Sequence, residues 1–234
     1  MTLADFKVLS FDCYGTLIDW ETGILAALRP LAHRAGITLD GEAILAQFAA
    51  LESEQQAATP QMRYAELLSL VHARLAGLWD APDDVAESAR FGASIGDWPA
   101  FSDTAAALTA LRKRFRLVIL SNVDRPSFHA TLPRLGVEFD AIYTAEDIGS
   151  YKPDARNFRF LIERLAEDGF QKLDILHVAQ SLFHDHAPAN AIGLASAWID
   201  RRHGATGWGA TAPPPQGVHY DLCFRSLAEL AAAA

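Results

Sequence analysis

The sequence predicts an α/β protein: a doubly wound parallel sheet with an all-helical segment inserted after its first strand. Three observations predict it. Short apolar runs, such as residues 117–120 and 175–178, suit strands buried on both faces. Helical stretches alternate with these runs, the order of a parallel sheet covered by helices on both sides. Between residues 20 and 98 the β-rich runs stop, and apolar residues recur only at helical spacing.

Residues 6–11 form the first strand, which ends at Asp12, with Gly15 marking the turn. Residues 20–35 read as a helix that Pro30 must kink or split. Asp40 caps the next helix, on which Ile44, Leu45, Phe48 and Leu51 share one face. After Pro60, Leu67, Leu68, Val71, Leu75 and Leu78 repeat at helical spacing, and Pro82 opens a helix over 83–90. Ser102 then caps a helix to Arg114, the second strand is 117–120, and another helix begins at Pro126. Lys152-Pro153 precedes a helix to about Ala166. Further strands fall at 175–178, 195–199 and 220–224, five in all. Residues 203–217 hold four Gly and three consecutive Pro and read as a loop. The core is therefore residues 1–19 and 99–234, and the helical cap is residues 20–98.

Composition excludes several classes. Of 234 residues half are apolar and 21% charged, enough for a packed core and against disorder. A net charge of −9 argues against a nucleic-acid partner. Two cysteines, Cys13 and Cys223, with no Cys-x-x-Cys, give neither a disulfide framework nor a zinc motif. No basic segment followed by an apolar one opens the chain, and no apolar run reaches about 18 residues. The expectation is a soluble, cytoplasmic protein without a membrane partner; a homodimer stays open.

Ligands of a doubly wound sheet bind beyond the carboxyl ends of the strands. There the sequence places Asp12-Cys13-Tyr14-Gly15-Thr16, then Ser121-Asn122, then Tyr151-Lys152-Pro153-Asp154 before a helix, then Ser181 to Asp185. Each is ordinary alone: Asp12 suits a turn, Ser121 a helix cap, Lys152 a solvated surface. Together they resemble the haloacid dehalogenase superfamily, over nearly the whole core and with the insertion in the expected place. The resemblance implies a modified Rossmann (HAD-like) core with Asp12 as nucleophile. Ser121 would bond the substrate or the intermediate, Lys152 would hold Asp12 ionised, Asp185 would support the lysine, and Thr16 completes the catalytic set.

Phosphatases of that superfamily carry Asp-x-Asp in the first motif and use Mg²⁺. Here the second position is Tyr14, a phenol with a pKa near 10 and no fixed charge, which weakens a hard-cation site. Asp-x-Tyr-Gly-Thr is similar to the 2-haloacid dehalogenase branch, which works without metal or other cofactor. The implied reaction is attack of Asp12 on C2 of a small carboxylic acid, an alkyl ester of Asp12, and its hydrolysis by water. The first expectation is an (S)-2-haloacid dehalogenase. The alternative is ring opening of azetidine-2-carboxylate by the same attack. A phosphatase and a non-catalytic binding protein are the remaining readings.

The pocket would be completed by the N–H groups of Cys13 and Tyr14 for the substrate carboxylate, with Asn122, Ser181, Trp20 and Phe48. The resemblance also implies an Arg on the first long cap helix to receive halide. A gap-free register puts Phe48 there, and the segment to Glu54 has no Arg. The stretch before Asp185 is one residue longer than the usual Ser-Ser-Asn-x-x-Asp. His177 reads as a satisfied core histidine. His184-Asp185-His186 reads as loop rather than zinc site, since adjacent residues point apart. Gly92-Ala93-Ser94-Ile95-Gly96 matches a nucleophile elbow but lacks the strand that must precede it.

Overall fold

The computed structural model describes residues 1–82 and 84–234; Asp83, where the sequence starts a helix, lies outside the described residues. Six parallel strands build one sheet: β1 (Val8–Phe11), β2 (Arg116–Ser121), β3 (Ala141–Thr144), β4 (Ile175–Ala179), β5 (Ala195–Ile199) and β6 (Leu222–Phe224). Their order is β3-β2-β1-β4-β5-β6. Every residue of β1 and β4 is buried, as central strands covered on both faces must be. Phe11 pairs with Ile119 on one side and Val178 on the other, so β2, ending at Ser121, and β4, ending at Ala179, run slightly past the end of β1. Asp12 thus emerges where the strand order reverses, the place such sheets use for ligands.

The sequence reading of five strands misses β3. That strand is an edge of four residues, three only half-buried, so it lacks the continuous apolar run of its neighbours. It leads directly into α7 (Ala145–Ile148), which Thr144 caps.

Four helices fill the segment between β1 and β2: α1 (Trp20–Arg34), α2 (Gly41–Ala58), α3 (Tyr64–Leu78) and α4 (Val85–Ala93). Asp19, Asp40 and Asp84 accept from main-chain N–H groups of the first turns of α1, α2 and α4. Such caps each contribute about 1 kcal/mol. Pro30 does not split α1. It sits on the exposed side, as does Ala26, whose carbonyl loses its helical donor to the ring and is left to water. Ile24, Leu28, Ile44, Leu45, Phe48, Leu67 and Val71 pack into one apolar cluster with Leu9 and Phe11 of β1, so cap and sheet share a core.

The remaining helices are α5 (Thr104–Leu111), α6 (Arg125–Leu135), α8 (Ala155–Glu167), α9 (Ala187–Ala191) and α10 (Leu227–Ala232). α5 starts after Asp103, not Ser102, and stops short of Arg114. Several polar contacts bind the cap to the core, two of them close to the strand ends or the cavity. Asp124 accepts from Ser127 N at the start of α6 and from Ala65 N at the start of α3. Arg202, at the head of the Gly-Pro loop, ion-pairs with Glu21 on α1 and Glu42 on α2. Among the described residues, no helix is long and apolar enough to cross a membrane.

Candidate active site

Asp12 leaves β1 with its main-chain N–H on Val178 O of β4, at 3.1 Å. Gly15, at φ +93°, turns the chain; a Cβ there would sit 2.9 Å from Trp20 Nε1, so this turn needs glycine. Thr16 Oγ1 donates to Asp12 Oδ2 at 2.6 Å and accepts from Gln180 N at 3.0 Å. The other oxygen, Oδ1, takes Lys152 Nζ at 2.8 Å. The same ammonium reaches Asp185 Oδ1 at 2.7 Å and Leu120 O at 3.0 Å, so all three donors are used.

Lys152 is itself held by Asn122. The carboxamide oxygen accepts from Lys152 N at 2.7 Å, and its nitrogen donates to Lys152 O at 3.0 Å. Asp185 is held by His177, whose Nε2 lies 2.9 Å from Oδ1 and whose Nδ1 lies 2.8 Å from Ser10 Oγ. An ionised carboxylate only accepts, so Nε2 donates to Asp185. His177 is indeed satisfied, but its partner belongs to the site.

The extra residue before Asp185 is absorbed as a π-type turn, Leu182–His186. His186 N reaches back five residues to Ser181 O, and Asp185 N bonds the same carbonyl. Ser181 Oγ caps the turn by accepting from His184 N at 2.9 Å. His186 faces inward, bonded to Ser196 Oγ and Ala179 O.

Burial pushes the Asp12 carboxyl up, and the Lys152 charge only partly offsets it. Asp185 goes the other way. Burial raises it, but the Lys152 charge and the His177 hydrogen bond together hold it well below the usual carboxylate range. Lys152 is depressed by burial, yet its two carboxylates outweigh that and hold it charged. The arrangement is one ammonium between a well-stabilised anion, Asp185, and a poorly solvated one, Asp12, which is the better nucleophile of the two.

Over these groups lies a cavity of about 30 Å³, room for a water or two. Tyr14, Trp20, Asn122 and Ser181 line it, as the sequence predicts. Tyr14 turns its hydroxyl to Thr131 Oγ1 at 2.8 Å, and burial holds the phenol neutral. Ser121 ends β2 buried, and among the described residues its Oγ has no hydrogen-bond partner.

One expectation needs correction. Phe48 does not line the cavity; it is fully buried between the rings of Trp20 and Phe91. The Cys13 side chain packs in the apolar core and its carbonyl accepts from Thr16, Leu17 and Ile18, which leaves the expected part, its main-chain N–H, unaffected. Asn122 lines the cavity as expected and also clamps the lysine, with both ends of its carboxamide on the Lys152 main chain.

Glu52 stands where Phe48 was expected, one turn along α2, and lines the cavity with Tyr64, His184 and Thr211. Its Oε1 accepts from Tyr64 OH at 2.8 Å and from Gln56 Nε2 at 2.9 Å. Among the described residues, its Oε2 has no hydrogen-bond partner. Burial raises its pKa to about 7. The signal was legible: Ile44, Leu45, Phe48 and Glu52 follow one helical stripe, and an acid on an apolar stripe is the informative exception. His184 is held neutral by burial, with its pKa lowered to about 4.

One protein-family profile, described as haloacid dehalogenase-like hydrolase, matches residues 6–185. The (S)-2-haloacid dehalogenase of Pseudomonas putida is 32% identical over 108 residues, 45% of this chain and 46% of that protein. The chain thus spans about half the length of the curated relatives it matches. A solved structure of the L-2-haloacid dehalogenase from Xanthobacter autotrophicus, with chloropropionic acid covalently bound, superposes with a TM-score of 0.78 at 20% identity, covering 97% of each chain. A defluorinating L-2-haloacid dehalogenase gives 0.77 at 23% identity, over 97% of this chain and 94% of that one.

Proposed function

The chain belongs to the haloacid dehalogenase-like hydrolases, and from that premise we propose that it displaces a leaving group from C2 of a small carboxylic acid, with Asp12 as nucleophile. The observation that carries this reading is the pair of contacts on Asp12: Thr16 on one oxygen, Lys152 on the other, in the lining of a cavity between cap and sheet. Those contacts fix the carboxylate's orientation, and burial keeps bulk water from blunting it. Asp12 attacks C2 and forms an alkyl ester. Water then attacks the ester carbonyl and returns the free Asp12 with the hydroxy acid. Ser121 Oγ, buried and unbonded among the described residues, is a donor for the substrate carboxylate or the ester oxygen.

The donor set suits a metal-assisted phosphatase poorly. Among the described residues, no group of three or more His, Cys, Asp or Glu side chains is placed to hold a metal ion. Tyr14 gives no carboxylate and points its hydroxyl away. No step of the proposed reaction passes through a metal.

The leaving group follows two readings. The relatives support halide, since the Xanthobacter enzyme carries chloropropionic acid covalently bound. Glu52 in the cavity wall favours the second, a C–N bond as in azetidine-2-carboxylate. A panel of 2-haloacids, fluoroacetate, azetidine-2-carboxylate and phosphate esters, with and without chelator, tests the reading. Turnover at carbon that survives chelation and disappears in Asp12→Asn is expected. Chelator-sensitive release of phosphate, with the carbon substrates untouched, would refute it.

A further inference from the structure

A halide leaving into this cavity is held best by a cation; a neutral hydroxyl such as that of Thr211, without a partner among the described residues, is the weaker cradle. Among the described residues, the one lysine or arginine lining the cavity is Lys152, and its three donors are spent on Asp12, Asp185 and Leu120 O. The cap offers the opposite of a cation. Glu52 faces the cavity from α2, with Oε1 tied to Tyr64 and Gln56. Because both bonds fall on Oε1, a proton on this carboxyl sits on Oε2, the oxygen that lacks a partner.

We infer that Glu52 is the acid that protonates the leaving atom, and that the substrate is a small carboxylic acid whose C2 bears a heteroatom departing with a proton. A strained-ring nitrogen or oxygen is that chemistry; chloride and bromide, which leave as anions and need no proton, are not. The inference rests on Asp12 as the nucleophile attacking carbon. In the first step the Asp12–C2 bond forms, the C2–heteroatom bond breaks, and its electron pair takes the Glu52 proton. In the second, water adds to the ester carbonyl of Asp12, the ester C–O bond on the acyl side breaks, and the water's surplus proton returns to the Glu52 carboxylate. Asp12 and Glu52 end as they began, and one water is consumed. Tyr64 and Gln56 are positioning residues: they fix which oxygen of Glu52 faces the substrate. With its pKa raised to about 7, the acid is in its working form at and below neutral pH.

The probes are azetidine-2-carboxylate for nitrogen, glycidate for oxygen and 2-chloropropionate for halide. They are assayed on the wild-type protein and on Glu52→Gln, whose fold is checked by its thermal midpoint. Wild type should favour at least one ring probe over 2-chloropropionate. That ratio should fall about 10²-fold or more in Glu52→Gln, the size of a general-acid contribution. The kcat/KM for the ring probe should fall above about pH 7, and the variant should lose that limb. Single turnover in ¹⁸O-water reads the foundation separately, by label on Asp12. Turnover of 2-chloropropionate but of neither ring probe would overturn the role of Glu52 and leave Asp12 standing. So would a ratio and pH limb unchanged by Glu52→Gln. Absence of label on Asp12 with every probe would overturn the nucleophile reading itself.

Discussion

Tyr64 donates its hydroxyl to Oε1 of Glu52 at 2.8 Å, across the packing of α3 on α2, and both side chains are buried. The bond orients the carboxyl and also favours its ionised form, so it opposes the burial that raises the Glu52 pKa.

Tyr64→Phe therefore moves Glu52 further from the ordinary carboxylate range. The alkaline limb of the pH–rate profile shifts to higher pH, and activity at neutral pH falls because the carboxyl is no longer held in one orientation. A profile of kcat/KM from pH 5 to 9 on wild type and variant checks it. A limb that stays in place or moves to lower pH would contradict the arrangement.

Glu52 also ties stability to pH. Its folded pKa, about 7, lies above its ordinary value of 4.5, so the unfolded chain gives up this proton first. The contribution is fully present below about pH 4.5 and is lost as pH rises through 7. The loss is on the order of 2–4 kcal/mol at one pKa unit per 1.36 kcal/mol. Glu52→Gln has no proton to lose. Urea unfolding at pH 5 and 8.5 should show the variant gaining on wild type as the pH rises. A constant difference between the two would mean that Glu52 titrates normally.

Much of this site was legible because its parts sit at strand ends. Asp12 and Ser121 stand at the ends of apolar runs that read as buried strands, and the pairing of β1 with β2 brings those ends together, while Lys152 precedes a helix and reaches Asp12 by its ammonium. Glu52 stood out as an acid on an apolar stripe, but where such a side chain points depends on packing between distant elements, which no local pattern shows. Phe48 and Glu52 lie one turn apart on the same stripe, and only the rotation of α2 against α1 and α4 decides which meets the cavity. Thr211 belongs to a loop whose composition shows only that it is irregular, yet it lines the cavity because Arg202 pins that loop to the cap. β3 escaped for a related reason: an edge strand need not be apolar throughout.

Lys152→Met would remove the charge that two buried carboxylates share. Turnover should drop at least about 10³-fold, since Asp12 loses both its orientation and its opposite charge. Stability at neutral pH should fall by about 3–5 kcal/mol, the cost of leaving buried charges without a partner. That deficit should shrink on acidification, because in the variant both carboxyls can protonate, whereas in wild type Asp185 stays ionised far below its ordinary range. Chemical denaturation at pH 4 and 7 distinguishes this from a loss of packing, which would be the same at both.

Arg202 sets how firmly the cavity is closed. Its guanidinium ion-pairs with Glu21 on α1 and Glu42 on α2, and the loop that follows repeats the same partners: Gly209 N donates to Glu42 Oε1 at 2.9 Å and Ala210 N to Glu21 Oε1 at 3.2 Å. The next residue, Thr211, is in the cavity wall. One arginine thus joins two cap helices to a core loop beside the substrate space. Arg202→Met keeps the length of the stem and removes both pairs, leaving Glu21, already raised by burial, without its main opposing charge. The closed arrangement becomes less populated, and apparent affinity falls by that fraction while the chemistry at Asp12 is untouched. KM should therefore rise several-fold, with kcat changed far less. Wild type should move in the same direction as salt increases, since these pairs are only partly buried, and the variant should not. A fall in kcat at constant KM would show instead that the strap acts on the reacting groups.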